Sequence, residues 1–182
     1  DTTNGKEDIE WLILAKEDNK ILVISKYALD CQQYNTSFTR VTWETCSLRK
    51  WLNGTFINNA FSSGEQSMIL TTTVTADKNP SYSTSPGNNT TDKVFLLSIA
   101  EVNQYFSSDS ARQCQGCQGT AYCYTQGAYK GSNENCWWWL RSPGSNSDYA
   151  ARVLSLGSVD GSGDDTDHED GAVRPALWIN LE

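Results

Sequence analysis

The 182-residue chain holds 14 basic and 22 acidic residues, for a formal net charge of -8 and a pI near 4.6; this argues against nucleic acid as a partner, which needs a basic surface that displaces counterions. The length supports one well-formed core and is short for two, so a single domain over residues 1–182 is expected. No apolar run approaches the roughly 20 residues of a membrane span, and the opening Asp1-Thr2-Thr3-Asn4-Gly5 lacks the basic and apolar regions of a signal peptide. The expectation is a soluble chain with no direct membrane insertion, compatible with trimming from a longer precursor.

In chain order, Ile9 to Ala15 and Lys20 to Tyr27 are two β-rich runs separated by Lys16-Glu17-Asp18-Asn19, a polar stretch of hairpin length. From Cys46 the apolar spacing changes to threes and fours through Leu48, Trp51, Leu52, Phe56, Ile57, Ala60 and Phe61, one helical stripe that Gly54 kinks or divides. Leu70 to Ala76 reads as a strand and the Asn-, Pro-, Ser- and Gly-rich Asp77 to Asp92 as a long surface loop. Val94 to Leu97 is a short buried strand. Ser98-Ile99-Ala100-Glu101 then has the Ser-x-x-Glu pattern that satisfies the free amides of a helix start, and that helix should reach about Phe106. Trp137 to Leu140, Ala150 to Leu156, Ser158 to Asp160 and Val173 to Ile179 make the last part of the chain strand-rich.

Six cysteines permit three disulfides in an oxidising compartment, with fifteen possible pairings that sequence does not choose between. Four of them, Cys114, Cys117, Cys123 and Cys136, fall in one glycine-rich stretch, so a zinc clamp is the rival reading. A second close Cys or Cys/His pair would strengthen it, but Cys123 and Cys136 lie apart and the single histidine, His168, is in an acidic segment. Other site chemistry is poorly supported. Counting from Asp165, an EF-hand would need Gly sixth and Glu twelfth, whereas Gly171 is seventh and Ala176 is twelfth. One histidine gives little basis for a Ser-His or Cys-His pair, and no phosphate-cradling Gly-x-x-x-x-Gly-Lys loop occurs. No catalytic residue, metal ligand or cofactor is therefore assigned. Arg141 and Arg174, each following an apolar strand, suit a structural role in which a guanidinium ties carbonyls or a carboxylate.

The last third combines a rigid frame with loose filling. Cys136-Trp137-Trp138-Trp139-Leu140-Arg141-Ser142-Pro143-Gly144 opens it and Val173-Arg174-Pro175-Ala176-Leu177-Trp178-Ile179 closes it. Bulky strands must be buried, whereas Asn146 to Tyr149 and Asp164 to Asp170 have little to bury and should form exposed loops, where recognition usually lives. Strand alternation puts Trp137 and Trp139 on one side and Trp138 on the other, with core the better assignment for all three. It also puts Arg152 and Leu154 on an exposed face with Ala150, and Ala151 and Val153 inward; Gly157, Gly161 and Gly163 should supply tight turns.

Five separated motifs carry a resemblance over nearly the whole chain: Glu10-Trp11-Leu12-Ile13-Leu14-Ala15; Thr42-Trp43-Glu44 leading to Leu48-Arg49-Lys50-Trp51-Leu52-Asn53; Asp92-Lys93-Val94-Phe95-Leu96-Leu97-Ser98; and the two framing segments. In this order they resemble a domain family common in gut bacteria, long catalogued without function. The resemblance implies an α+β, C-type-lectin-like fold of the formylglycine-generating-enzyme type, with antiparallel sheets, two or so helices and long loops. Members of that fold include the variable proteins of diversity-generating retroelements, in which error-prone copying of adenines rewrites codons in a C-terminal cassette. Here the cassette would be about residues 137–179. Randomising the adenines of an Asn codon never reaches Lys, Gln, Glu, Met or Trp. Lys and Gln each occur eight times before Ser142 and not after it, and Met is absent there too, so Glu169, Glu182 and Trp178 would be template-fixed.

The resemblance thus implies a ligand-binding protein rather than an enzyme, with a variable surface of Asn146, Ser147, Asp148, Tyr149, Arg152, Leu154, Asp164, Asp165, Thr166, Asp167 and His168. Tyrosine supplies amphipathic contact area and Asp, Ser, Asn and Thr adaptable hydrogen bonds, as in antibody loops. The expected partner is a protein or other surface ligand, with basic groups favoured by the acidic loop, and the expected location is the surface or exterior of a bacterium, or a phage-encoded equivalent. Two alternatives stand beside it: a thiol-based enzyme or redox protein using the Cys114 to Cys136 cluster, and an adhesive surface domain that is not diversified.

Overall fold

The computed structural model describes residues 7–116 and 122–182, so the readings made on Asp1 to Gly5 and on Cys117 lie outside the described residues. The chain forms a mixed α+β fold of mostly antiparallel sheets with a few short helices. β1 (Trp11–Glu17) and β2 (Lys20–Ser25) form the expected hairpin, extended by two residues into the polar stretch, with Asp18 taking the left-handed turn position at φ 31°. β3 is the short Asp30–Cys31. The apolar stripe becomes α1 (Ser47–Trp51), a π-helical turn over Leu52–Phe56 that contains Gly54, and α2 (Ile57–Ala60). Cys46 caps α1, its sulfur accepting from the Arg49 amide.

α3 (Ser63–Met68), opened by a Ser62/Glu65 capping box, is a helix the stripe did not announce, because it buries no residue. The long polar stretch is a loop except at its end, where β5 (Thr90–Asp92) pairs with β4 (Thr72–Val74). Asp92 is buried there, and its carboxylate accepts from Trp43 Nε1 at 3.1 Å, Arg49 Nε at 2.7 Å and Thr90 Oγ1 at 2.6 Å. Those bonds fasten the Trp43 and Arg49 segment to the strand pair, satisfying a charge that burial would otherwise penalise.

β6 (Val94–Phe95) leads into α4 (Ile99–Tyr105), whose Ser98/Glu101 capping box forms as the pattern predicts. α5 (Asp109–Arg112), β7 (Cys114–Gln115), α6 (Tyr122–Thr125) and β8 (Asn135–Cys136) are two- and four-residue elements. β9 (Trp138–Pro143), wholly buried, precedes β10 (Tyr149–Val153), β11 (Val159–Asp165), β12 (Ala172–Val173) and β13 (Ala176–Asn180).

Two main sheets result, with strand orders β1-β2-β13-β6 and β11-β10-β9-β12-β3. The expected single strand from Val173 to Ile179 is two: β12 pairs with β9 and β3 in one sheet, and β13 with β2 and β6 in the other. The chain changes sheets at Arg174-Pro175, where proline has no N–H to donate to a ladder and its carbonyl accepts from Ser25. Leu22, Val23, Ile24, Leu96, Leu97, Trp138, Trp139, Leu140, Val153, Val173 and Leu177 form the buried centre.

Arginines brace this centre. Buried Arg174 donates to the carbonyls of Ser25 (2.9 Å), Arg112 (3.3 Å) and Lys26 (3.4 Å), and its guanidinium lies 5.0 Å from the Trp138 ring centroid. Arg141 donates to the Leu96 and Thr75 carbonyls and pairs with Asp77 and Glu101, joining the long loop and α4 to β9. Among the described residues, no helix is long and apolar enough to cross a membrane.

Candidate functional site

β9 is the floor from which the site is built. Trp138 faces Arg174, while Trp137 and Trp139 share the opposite side, their ring centroids 4.6 Å apart and nearly perpendicular. All three rings are buried, and Trp139 donates from Nε1 to the Gln32 carbonyl at 3.0 Å. Packed in this way, Trp137 offers a rigid base for whatever lies over it.

Arg152 is that cover. It stands opposite Trp139 on β9 and Asp160 on β11, and its guanidinium lies 4.9 Å from the Trp137 ring centroid. Two carboxylates hold it in place: Asp160, 3.1 Å from Nε, and Asp164, which accepts from Nη1. Burial alone would push the Asp160 carboxyl up. Hydrogen bonds from Ser162, Arg152 and the Gly163 amide, with the Arg152 charge, outweigh it and set the pKa below the usual 3.8.

His168 completes the wall, its ring edge-on to Trp137 at 5.8 Å, its Nδ1 2.9 Å from Asp170 Oδ1 and its Nε2 3.9 Å from Asp164. That Asp170 oxygen is buried and makes no aligned hydrogen bond among the described residues.

Above these groups is a cavity of about 380 Å³, open to one side and lined by Trp137, Arg152, His168 and Asp170 with Tyr129, Leu154, Ser155, Leu156 and Ser158. Its size is that of a pocket for a small molecule or a partner's side chain. Leu156 is 66% exposed and Tyr129 44% exposed, which gives the mouth an apolar rim over a charged interior.

Of the residues expected to bind, Arg152, Leu154 and His168 therefore meet at one cavity. The others continue as a strip toward the opposite end of β10. Asn146 is exposed; the Ser147 carbonyl accepts from the Val41 amide, and the Asp148 carbonyl from the Thr166 amide. Tyr149 pairs with Asp165, whose charge and hydrogen bond raise the phenol pKa. Asp164 links strip and cavity through Arg152, and the Asp167 carbonyl accepts from Gln33 Nε2 at 2.6 Å.

Three expectations need correction. Thr166, expected on an exposed loop, is wholly buried: its amide and carbonyl bond to Asp148 and Asn35, drawing the chain inward. Ala150 does not share an exposed face with Arg152 but is also wholly buried, because a bulge between Ala150 and Arg152 breaks strict alternation. Asp164 and Asp165 belong to β11 rather than a loop, as do Gly161 and Gly163, the latter at φ +75° where a β-carbon would come 2.3 Å from the Ala150 carbonyl oxygen. Gly157 alone of the three glycines takes the connecting turn, at φ +90°.

Sequence reasoning missed Tyr129, Ser155, Leu156, Ser158 and Asp160. A leucine in a small polar turn was the available signal for Leu156. Tyr129 carried none, since a backbone bond from its amide to the Asp170 carbonyl brings it to the site.

Among the described residues, no three His, Cys, Asp or Glu side chains converge as a metal ion would require. Chemically the cavity offers shape, an apolar rim and fixed charges. Comparison with the curated proteins and with the solved structures finds no match to this chain. A family match does take in the whole cavity and every strand but β1: the domain of unknown function DUF6273 aligns with residues 18–181, and the chain belongs to that family.

Proposed function

We propose that this domain is a recognition protein on a C-type-lectin-like scaffold, diversified by a retroelement, with a binding surface running from Asn146 to the cavity at Arg152, Leu154 and His168. The observation that carries the reading is the division of labour within residues 137–179. Trp138, Trp139, Leu140, Val153 and Val173 are wholly buried, while Asn146, Leu154, Asp167 and His168 are at least partly exposed on one sheet and the turns beside it. Such a surface tolerates side-chain exchange because the frame supplies the stability.

The partner best suited to it is a protein or other surface molecule presenting basic groups. Asp160, Asp164 and Asp170 outnumber the single arginine around the cavity, and Asp148, Asp165, Asp167 and Glu169 extend the acidic character along the strip. The C-type-lectin-like fold and a location at the surface or exterior of a bacterium, or on a phage-encoded particle, belong to the same proposal. The test is genomic. DNA beside the gene should hold a reverse transcriptase and a near-copy of the segment encoding residues 137–179 that differs only at adenines, with mismatches at the codons for Arg152, Leu154 and His168. A neighbourhood without such a copy overturns diversification, and mismatches at the codons for Trp138 or Val173 overturn the assignment of the surface.

The thiol-enzyme reading is less well supported by the geometry, because Cys114, Cys123 and Cys136 of the cluster it rests on are all buried and leave a substrate no direct approach. Outside the cluster, burial pushes the Cys46 thiol up to about 12, and burial with the Asp30 and Asp170 charges does the same for Cys31.

A further inference from the structure

β7 and β8 form a ladder of only two residue pairs, Cys114↔Cys136 and Gln115↔Asn135. Residues directly opposite on antiparallel strands point their side chains to the same face, with Cα atoms about 4.5–5.5 Å apart, inside the range a disulfide spans. The Cys136 thiol donates to the Cys114 carbonyl at 3.3 Å, which places it across the ladder from its partner. Both side chains are buried, 1% and 0% exposed. From this opposition we infer that Cys114 and Cys136 are a redox pair that closes into a cross-strand disulfide, a bond present in three of the fifteen full pairings that six cysteines allow.

The surroundings favour the reaction. Burial alone would raise the Cys114 pKa, but the hydrogen bond from Cys136 and the Arg174 charge outweigh it and lower it; Cys136, as the donor, is correspondingly raised. Cys114 is therefore the attacking sulfur. With a small-molecule disulfide such as oxidised glutathione as oxidant, the Cys114 thiolate attacks one sulfur and expels a glutathione thiolate. Cys136 then loses its proton and attacks Cys114 of the mixed disulfide, forming the Cys114–Cys136 bond and expelling the second glutathione. The two protein thiols lose two protons and two electrons, and the oxidant becomes two thiols. The bond would join residues 22 apart and pin the start of the tryptophan strand, directly before Trp137. Because the ladder has only two pairs, oxidant gains access when it opens locally.

The test is disulfide mapping of the whole protein after equilibration with oxidised glutathione. Trypsin cleaves at Arg112, Lys130 and Arg141, so the expected product is the 113–130 peptide linked to the 131–141 peptide, with fragment ions locating the bond at Cys114. The linkage should vanish in Cys114→Ser and survive in Cys117→Ser and Cys123→Ser, and the oxidised protein should melt about 5 °C or more above the same protein in dithiothreitol. Fragment ions placing the bond at Cys117 or Cys123 would overturn the inference without any variant having to fold. So would a Cys136 that stays open to alkylation, or stoichiometric zinc released only when Cys136 is blocked.

Discussion

Asp160 shows how one side chain can serve both fold and site. Its carboxylate accepts from Arg152 Nε, from the Ser162 hydroxyl and from the amides of Ser162 and Gly163, so it shapes β11 as well as positioning the guanidinium over Trp137. Its folded pKa lies below the unfolded value near 3.8. A depressed carboxyl contributes stability that is present above the unfolded pKa and is lost as pH falls through the folded one. Asp160→Asn should therefore be less stable than the parent at pH 7 by about 1 kcal/mol, the scale of a part-exposed pair with hydrogen bonds. The two proteins should converge as pH falls below 3.8 and through the folded pKa, where both come to carry a neutral side chain. Urea denaturation at pH 7 and at successively lower pH measures this. A difference that persists unchanged at the lower pH would mean that shape rather than charge makes Asp160 important.

At the scale of elements, the turn between β10 and β11 is where the strand pair meets the helical part of the chain. Gly157 sits at φ +90°, and a β-carbon there would come 1.7 Å from the Asp109 carbonyl oxygen, while its own carbonyl accepts from Arg112 Nε at 2.9 Å. Gly157→Ala should therefore cost about 2–3 kcal/mol, from left-handed strain and the displaced α5. Faster amide exchange at Ala111 and Arg112 would locate the damage. Gly54, in the π-helical turn with open space where its β-carbon would be, is the contrast: Gly54→Ala should gain about 0.5–1 kcal/mol.

The elements also show what a sequence can reveal. The β1–β2 hairpin, the apolar stripe of α1 and α2, and the Ser98 capping box were legible because each is encoded within a few residues by spacing or cap chemistry. β3, β7 and β8 have two residues apiece, too few for any period, and β11 continues through Gly161-Ser162-Gly163 because β10 pairs with it on either side of that stretch, at Val159 and Asp160 and at Asp164 and Asp165, not because of its own composition. The site followed the same rule. Arg152, Leu154 and His168 lie in the segment that composition singled out, whereas Tyr129 arrives through a backbone bond to Asp170, and Thr166 is drawn inside by bonds to Asp148 and Asn35.

For the molecule as a whole, the two sheets meet where the chain passes from β12 to β13, so the segment that closes the core also brackets the exposed strip. Stability and the proposed recognition would then be separable in the same forty or so residues. Asn146, Ser147, Asp148, Leu154, Asp167 and His168 are none of them buried, and their main-chain bonds to Val41, Thr166, Ser158 and Gln33 do not depend on side-chain identity. Exchanging all six together for Ala or Ser should shift Tm by no more than about 5 °C, since surface changes of this kind sit within about 0.5 kcal/mol each and partly cancel. Leu177→Ala, a single truncation at a wholly buried position of β13, should cost about 2–5 kcal/mol and lower Tm by roughly 10 °C. Thermal melts of the two variants side by side decide the matter. A sixfold variant that melts as low as Leu177→Ala would mean that the strip is part of the structural frame, and a surface of that kind could not be freely rewritten.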